Sequence, residues 1–188
     1  MGSAITPYTS QILAILSRAI TDEAAQVRQN AAFASGLLVE YSNEDLSPHF
    51  PALLTALQPN LAKTENESEE IQITRDNACG CLGRMILKRP DVVPIEQALP
   101  ILFAALPLTQ DHAEWAPVLT ALISLVQANN EVALSHLDTI LQLFAHVLGA
   151  KEELVSAELR GQCVGFVSAI AAQMPDKVEA AGLKPYLV

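Results

Sequence analysis

Aromatic residues make up only 5% of this 188-residue sequence, which holds a single tryptophan. A core so poor in rings is filled by Leu, Ile, Val and Ala, the residues that let helices approach closely. Long apolar runs are missing too. Gln, Ser, Thr or a charge interrupts every apolar stretch before about 18 residues, which argues against a membrane-spanning helix. No basic segment followed by an apolar core opens the chain, so no secretory signal is expected. Met1-Gly2-Ser3 reads as an expression scar, and the sequon Asn66-Glu67-Ser68 reads as chance without such a signal. Cysteine is scarce: Cys79, Cys81 and Cys163 form an odd set without paired spacing, which fits buried thiols in a reducing compartment. Cys79 and Cys81 point about 200° apart on a helix and cannot share a metal or a disulfide there.

Catalytic patterns are also lacking. His49, His112, His136 and His146 are scattered with no paired metal spacing. There is no glycine-rich phosphate loop, no Gly-x-Ser-x-Gly and no His-Glu-x-x-His. The chain is therefore read as a non-enzyme that needs no cofactor and no metal. Basic residues are few, with 11 Lys and Arg against 21 Asp and Glu and a formal net charge of −10. Such a field disfavours nucleic acid and acidic membranes and favours basic partners, besides keeping the chain soluble.

What is present is repetition. Arg28, Asn30, Ala31 and Gly36 recur at one constant offset as Arg75, Asn77, Ala78 and Gly83. Arg160 and Gly165 repeat Arg75 and Gly80 at a second offset, which Pro175-Asp176 shares with Pro90-Asp91. A degenerate copy lies around Trp115-Ala116-Pro117-Val118-Leu119. A different segment precedes each copy: Phe50-Pro51-Ala52-Leu53-Leu54 matches Leu99-Pro100-Ile101-Leu102-Phe103, and Leu137-Asp138-Thr139-Ile140-Leu141 follows without the proline. Phe50, Leu53, Leu54, Leu57 and Leu61 form one helical stripe. Pro51 and Pro100 are placed in the first turn of their helices, where a missing N–H costs least.

The unit is thus helix A, turn, helix B, repeating roughly every 38 to 49 residues. No alternating strand pattern appears. The expected organisation is one array over 4–188, with pairs at 8–41, 46–89, 95–129 and 131–174 and a partial repeat at 177–188. One pair cannot bury its apolar face alone, so neighbours stack, and the array reads as a piece of a longer solenoid. Gly36, Gly80, Gly83 and Gly165 each cost roughly 1 kcal/mol against Ala in a helix, and close approach of helix A to helix B is the simplest return.

These residues resemble the HEAT family, an all-α solenoid of antiparallel helix pairs. Asp22, Val27 and Arg28 stand in that family's Asp-x4-Val-Arg arrangement, and Arg75 and Arg160 occupy the matching Arg. The resemblance implies an Asp–Arg ladder between repeats, though the pattern is complete only in the first. Within HEAT proteins the chain is similar to the importin-β nuclear transport receptors. Arg75-Asp76-Asn77-Ala78 through Leu82-Gly83-Arg84, with the acidic insert before it, looks most like the importin 4 type. That branch carries histones and ribosomal proteins.

What the resemblance implies is basic protein cargo, such as histone H3/H4 or ribosomal import signals, held on a concave face lined by B helices. It also implies shuttling between cytoplasm and nucleus, and binding of the small GTPase Ran outside this segment. The candidate cargo contacts are Asp76, Asn77, Glu114, Trp115, Glu153 and Glu158 at B-helix starts, with Glu67, Glu69 and Glu70 of the acidic run 64–70. Carboxylates would pair with Lys or Arg, amides would hold a peptide backbone, and Trp115 would clamp a lysine stem or pack in the core. Arg28, Arg75 and Arg160 read as structural links between repeats. The alternative is a HEAT scaffold for a fixed protein partner, with no transport role.

Overall fold

The computed structural model describes residues 8–187, and Met1-Gly2-Ser3 lies outside them. The described residues form helices, four short 3-10 turns and connecting loops, with no strand among them. The α-helices are α1 (Thr9–Ala19), α2 (Ala25–Tyr41), α3 (Phe50–Leu61), α4 (Glu69–Lys88) and α5 (Ile95–Ala105), then α6 (Trp115–Gln127), α7 (Glu131–Ser135), α8 (Leu137–Gly149), α9 (Ala157–Ala171) and α10 (Pro175–Ala180). Contacts divide the chain into two compact units, one up to Ala121 and one from Leu122, the division falling within α6.

In the first unit α1, α3 and α5 form one layer, and α2 and α4 lie in the other. Each layer is amphipathic helix against amphipathic helix, which removes the apolar stripes from water. The stripe expected on α3 is there: Phe50, Leu53, Leu57 and Leu61 are buried, while Leu54 is half-buried. Pro51 sits at the first turn of α3, as its missing N–H requires. Pro100 does not. Helix α5 begins at Ile95, after Pro94, so Pro100 lies in the helix interior, on its exposed side.

Helices α2 and α4 make the most extensive contact of the fold and run parallel. The Thr74 hydroxyl donates to the Ala25 carbonyl at 3.2 Å near their starts, and Lys88 Nζ donates to the Ser42 carbonyl at 3.0 Å near their ends. Every residue of 74–86 is buried, so α4 has no solvent face along most of its 20 residues. In the second unit α8, α9 and α10 pack together, with Phe144 and Phe166 in tilted contact at 4.9 Å between centroids.

Glycine returns its helix cost, but between different partners than the sequence suggested. Gly36 lets α2 approach α4, with Cys81 Cα only 3.1 Å from where a Cβ would stand. Gly83 admits the Pro117 carbonyl at 2.8 Å, so α6 starts directly against α4. Both are contacts between B helices, not between A and B. Gly165 has nothing within 4 Å of such a Cβ and therefore no packing role.

Candidate functional site

The acidic segment 64–70 is folded rather than loose. Asn66 takes a left-handed φ of 56°, which asparagine tolerates, and turns the chain back on itself. Glu67 then reaches inward: one oxygen accepts from Thr64 N at 2.6 Å, and the other takes the Arg75 guanidinium. Burial alone would raise the Glu67 pKa, but the hydrogen bonds from Arg75 and Thr64 outweigh it and hold the carboxyl below its ordinary value. Ser68 caps α4 by accepting from Ile71 N, and Glu69 and Glu70 complete its first turn against the positive helix end. Glu65, Glu69 and Glu70 remain exposed.

One turn further, Asp76 is fully buried and works as a clamp. Its Oδ2 accepts from three successive backbone amides, Thr109 at 3.0 Å, Gln110 at 2.7 Å and Asp111 at 3.0 Å. Lys63 Nζ donates to the Leu106 carbonyl at 2.7 Å, and Gln110 Nε2 to Gln72 Oε1 at 2.8 Å. Together these contacts fasten the loop after α5 to α4 and to the segment that follows α3. Asn77 beside Asp76 is buried as well.

The third feature is centred on Arg84, also buried. Its Nε donates to Glu40 on α2 at 2.7 Å, and its two Nη atoms embrace Glu114, in the 3-10 turn His112–Glu114, with Nη2 at 3.2 Å. A Cβ on Gly80 would stand 1.4 Å from Glu114 Oε2, so only glycine leaves room for that carboxylate. Burial pushes the Glu114 carboxyl above its ordinary pKa, against the pull of Arg84. The same pair raises Arg84 despite its own desolvation, and the guanidinium stays charged.

Of the residues expected to touch cargo, Asp76, Asn77, Glu114 and Trp115 are therefore interior. Asp76 and Glu114 hold loops in place, and Trp115 packs in the core. Sealed by their neighbours, these four side chains present little to a partner at the surface, contrary to the expectation from sequence. Glu67 is turned inward onto Arg75. The others stand in water: Glu69 and Glu70 at the start of α4, Glu153 in the turn Glu152–Leu154, and Glu158 in the first turn of α9.

The arginines divide likewise. Arg28 links α2 to α3 through Asn60 Oδ1 at 3.0 Å and also takes the Asp22 and Glu23 carbonyls. Asp22 uses its carboxylate on Ala24 N instead of on that arginine. Arg75 and Arg160 bond locally, Arg75 to Glu67 and Arg160 to the Leu148 and Ala150 carbonyls at the end of α8. Sequence reasoning missed the Glu40–Arg84–Glu114 triad. Its only signal was the matched glycines on α2 and α4, which marked a close approach without saying what filled it.

All three cysteines are buried free thiols; desolvation pushes Cys81 up to about 12 and Cys163 up to about 11. They are inert at neutral pH. No group of His, Cys, Asp and Glu among the described residues could hold a metal, and no helix there is long and apolar enough to cross a membrane.

Stacked helix pairs, with α2 and α4 side by side and parallel in the first unit, mark the HEAT class of α-solenoid. No family signature matches the chain. Curated proteins do. It is 37% identical over 171 residues to the probable importin subunit beta-4 of Schizosaccharomyces pombe, a match covering 91% of this chain and 16% of that protein. Importin-4 of Homo sapiens is 28% identical over 181 residues, covering 96% of this chain and 16% of its own length. Importin-4 of Mus musculus is 33% identical over 130 residues, covering 69% and 12%. The chain belongs to the importin-β family, in its importin 4 type, and spans about a sixth of the length of the relatives it matches.

Proposed function

We propose that this chain is part of the cargo-carrying surface of a nuclear import receptor, and that it attracts basic protein segments such as those of histones or ribosomal proteins. The observation that carries the reading is similarity to importins along nearly the whole chain. A formal charge of −10 supports it, as do exposed carboxylates at helix starts in each unit, Glu69 and Glu70 on α4 and Glu158 on α9, with Glu153 close by in sequence. Carboxylates standing in water gain little from any single pair but together steer a lysine-rich segment and set its on-rate. Asp76 and Glu114 serve this surface indirectly, by fixing the loop after α5 and the turn His112–Glu114 that border it. A receptor of this kind moves between cytoplasm and nucleus, and Ran engages it outside this segment.

Titration with a histone-tail peptide at low and high salt tests the reading. Binding that weakens steeply with salt, and weakens further when Glu69, Glu70 and Glu158 are changed to Lys, is the expected result. Salt-independent binding of one folded partner would instead favour a scaffold.

A further inference from the structure

A hydroxyl followed three residues later by a carboxylate occurs at three places: Ser42-Asn43-Glu44-Asp45, Thr64-Glu65-Asn66-Glu67 and Ser135-His136-Leu137-Asp138. That spacing has two unrelated uses. It builds capping boxes at helix starts, and it is a charge pattern by which kinases with a basic substrate groove choose a hydroxyl. The structure separates the three. The Thr64 hydroxyl donates to Glu67, whose carboxylate is turned inward onto Arg75, so its acidic mark is hidden. The Ser135 hydroxyl donates to the Val132 carbonyl at 2.7 Å within α7, and Asp138 already belongs to the first turn of α8. Ser42 is placed differently. It follows the end of α2, half-buried, with an extended backbone of φ −70° and ψ 138°. Its hydroxyl accepts from Glu44 N at 3.0 Å and donates to no group among the described residues. Asp45 has a side chain 60% exposed, and its contact with Arg89 at 3.0 Å joins two groups standing in water, which holds it only weakly.

We propose that Ser42 is a phosphorylation site for an acid-directed serine kinase, which reads Glu44 and Asp45 downstream of it. The Ser42 oxygen attacks the γ-phosphorus of ATP and the bond to the bridging β–γ oxygen breaks. ADP leaves, and the hydroxyl proton passes to the catalytic base of the kinase. The product carries about −1.5 to −2 charges at neutral pH. At the carbonyl end of a helix such a charge is unfavourable unless a cation meets it. Lys88 is that cation. Its ammonium already donates to the Ser42 carbonyl at 3.0 Å and to the Glu40 carbonyl at 3.3 Å, and it exchanges these weak partners for the phosphate. The site stands whether or not the chain carries basic cargo.

The test treats the folded chain with casein kinase II and magnesium ATP and locates the phosphate by mass spectrometry. Short synthetic peptides centred on Ser42, Thr64 and Ser135 set the rate that sequence alone allows. The rate in the folded chain, divided by that of the matching peptide, should be at least about ten-fold higher for Ser42 than for Thr64 or Ser135. Asp45→Asn should slow modification of Ser42 about ten-fold. Loosening the loop would speed it instead, so a slower rate reports the carboxylate itself. Lys88→Gln should lower the Tm of the phosphorylated chain by about 2 °C more than that of the unmodified chain, because only the former leaves a phosphate unanswered. No phosphate on Ser42 of the folded chain, equal ratios at the three hydroxyls, or an undiminished rate in Asp45→Asn overturns the site. A Lys88→Gln effect equal in both forms overturns the capture of the phosphate by Lys88.

Discussion

Two of the helix-interior glycines give opposite answers to the same substitution. Gly80 has the Glu114 carboxylate pressed onto its Cα, so Gly80→Ala must push that group off Arg84 and is expected to cost about 3 kcal/mol or more. Gly165 faces open space within α9, so Gly165→Ala removes a backbone penalty and should stabilise by about 0.5–1 kcal/mol. Urea unfolding of the two variants separates them by sign. The triad makes a similar contrast. Glu114→Ala strands a buried guanidinium and should cost about 3–5 kcal/mol, whereas Glu40→Ala removes a partner already half in water, worth about 0–1 kcal/mol. Composition alone could not rank these residues. A glutamate before a tryptophan at a helix start looks the same in sequence whether it faces solvent or an arginine from another helix.

Among the elements, those with a clear apolar stripe were legible and α4 was not. On α3 the spacing of Phe50, Leu53, Leu57 and Leu61 alone told which face is buried. On α4 the consecutive polar residues Thr74, Arg75, Asp76 and Asn77 run right round the helix and mark no face as buried. Yet α2 and α3 and the loop after α5 surround the helix, and Thr74, Arg75 and Asp76 find their partners inside, while Asn77 Oδ1 is buried without one. Pro100 was misplaced for a related reason: proline marks a first turn only when no earlier residue starts the helix, and Pro94 does so here. The Asp76 clamp has a local readout. Asp76→Ala should release the Thr109, Gln110 and Asp111 amides to hydrogen exchange well before the rest of the first unit opens, together with a loss of about 2–4 kcal/mol. Ser68→Ala removes only a cap and should cost about 1 kcal/mol.

Across the whole molecule, acid should destabilise. Asp45, Glu67, Glu70 and Asp91 all titrate below their ordinary values when folded, so their contribution is present above the unfolded carboxylate range and is lost as pH falls through the folded values. Glu114 works in the other direction, since its folded pKa is raised: its share is present below the ordinary carboxylate range and fades as pH rises through the folded value. Four groups against one predict a net fall in Tm between pH 7 and pH 3, measurable by circular dichroism, with Glu67→Gln flattening part of the slope. Binding of a basic peptide should fall with ionic strength along with the screening of the −10 field. The enclosure of α4 has a further consequence, for how related sequences drift apart. A helix with a solvent face can absorb substitutions there at little cost, but residues 74–86 have none to offer. Nearly every change in that stretch must be matched by another on α2 or in the loop after α5. A saturation mutagenesis scan should therefore find α4 the least tolerant element of the first unit, and accepted changes within it should come in compensating pairs.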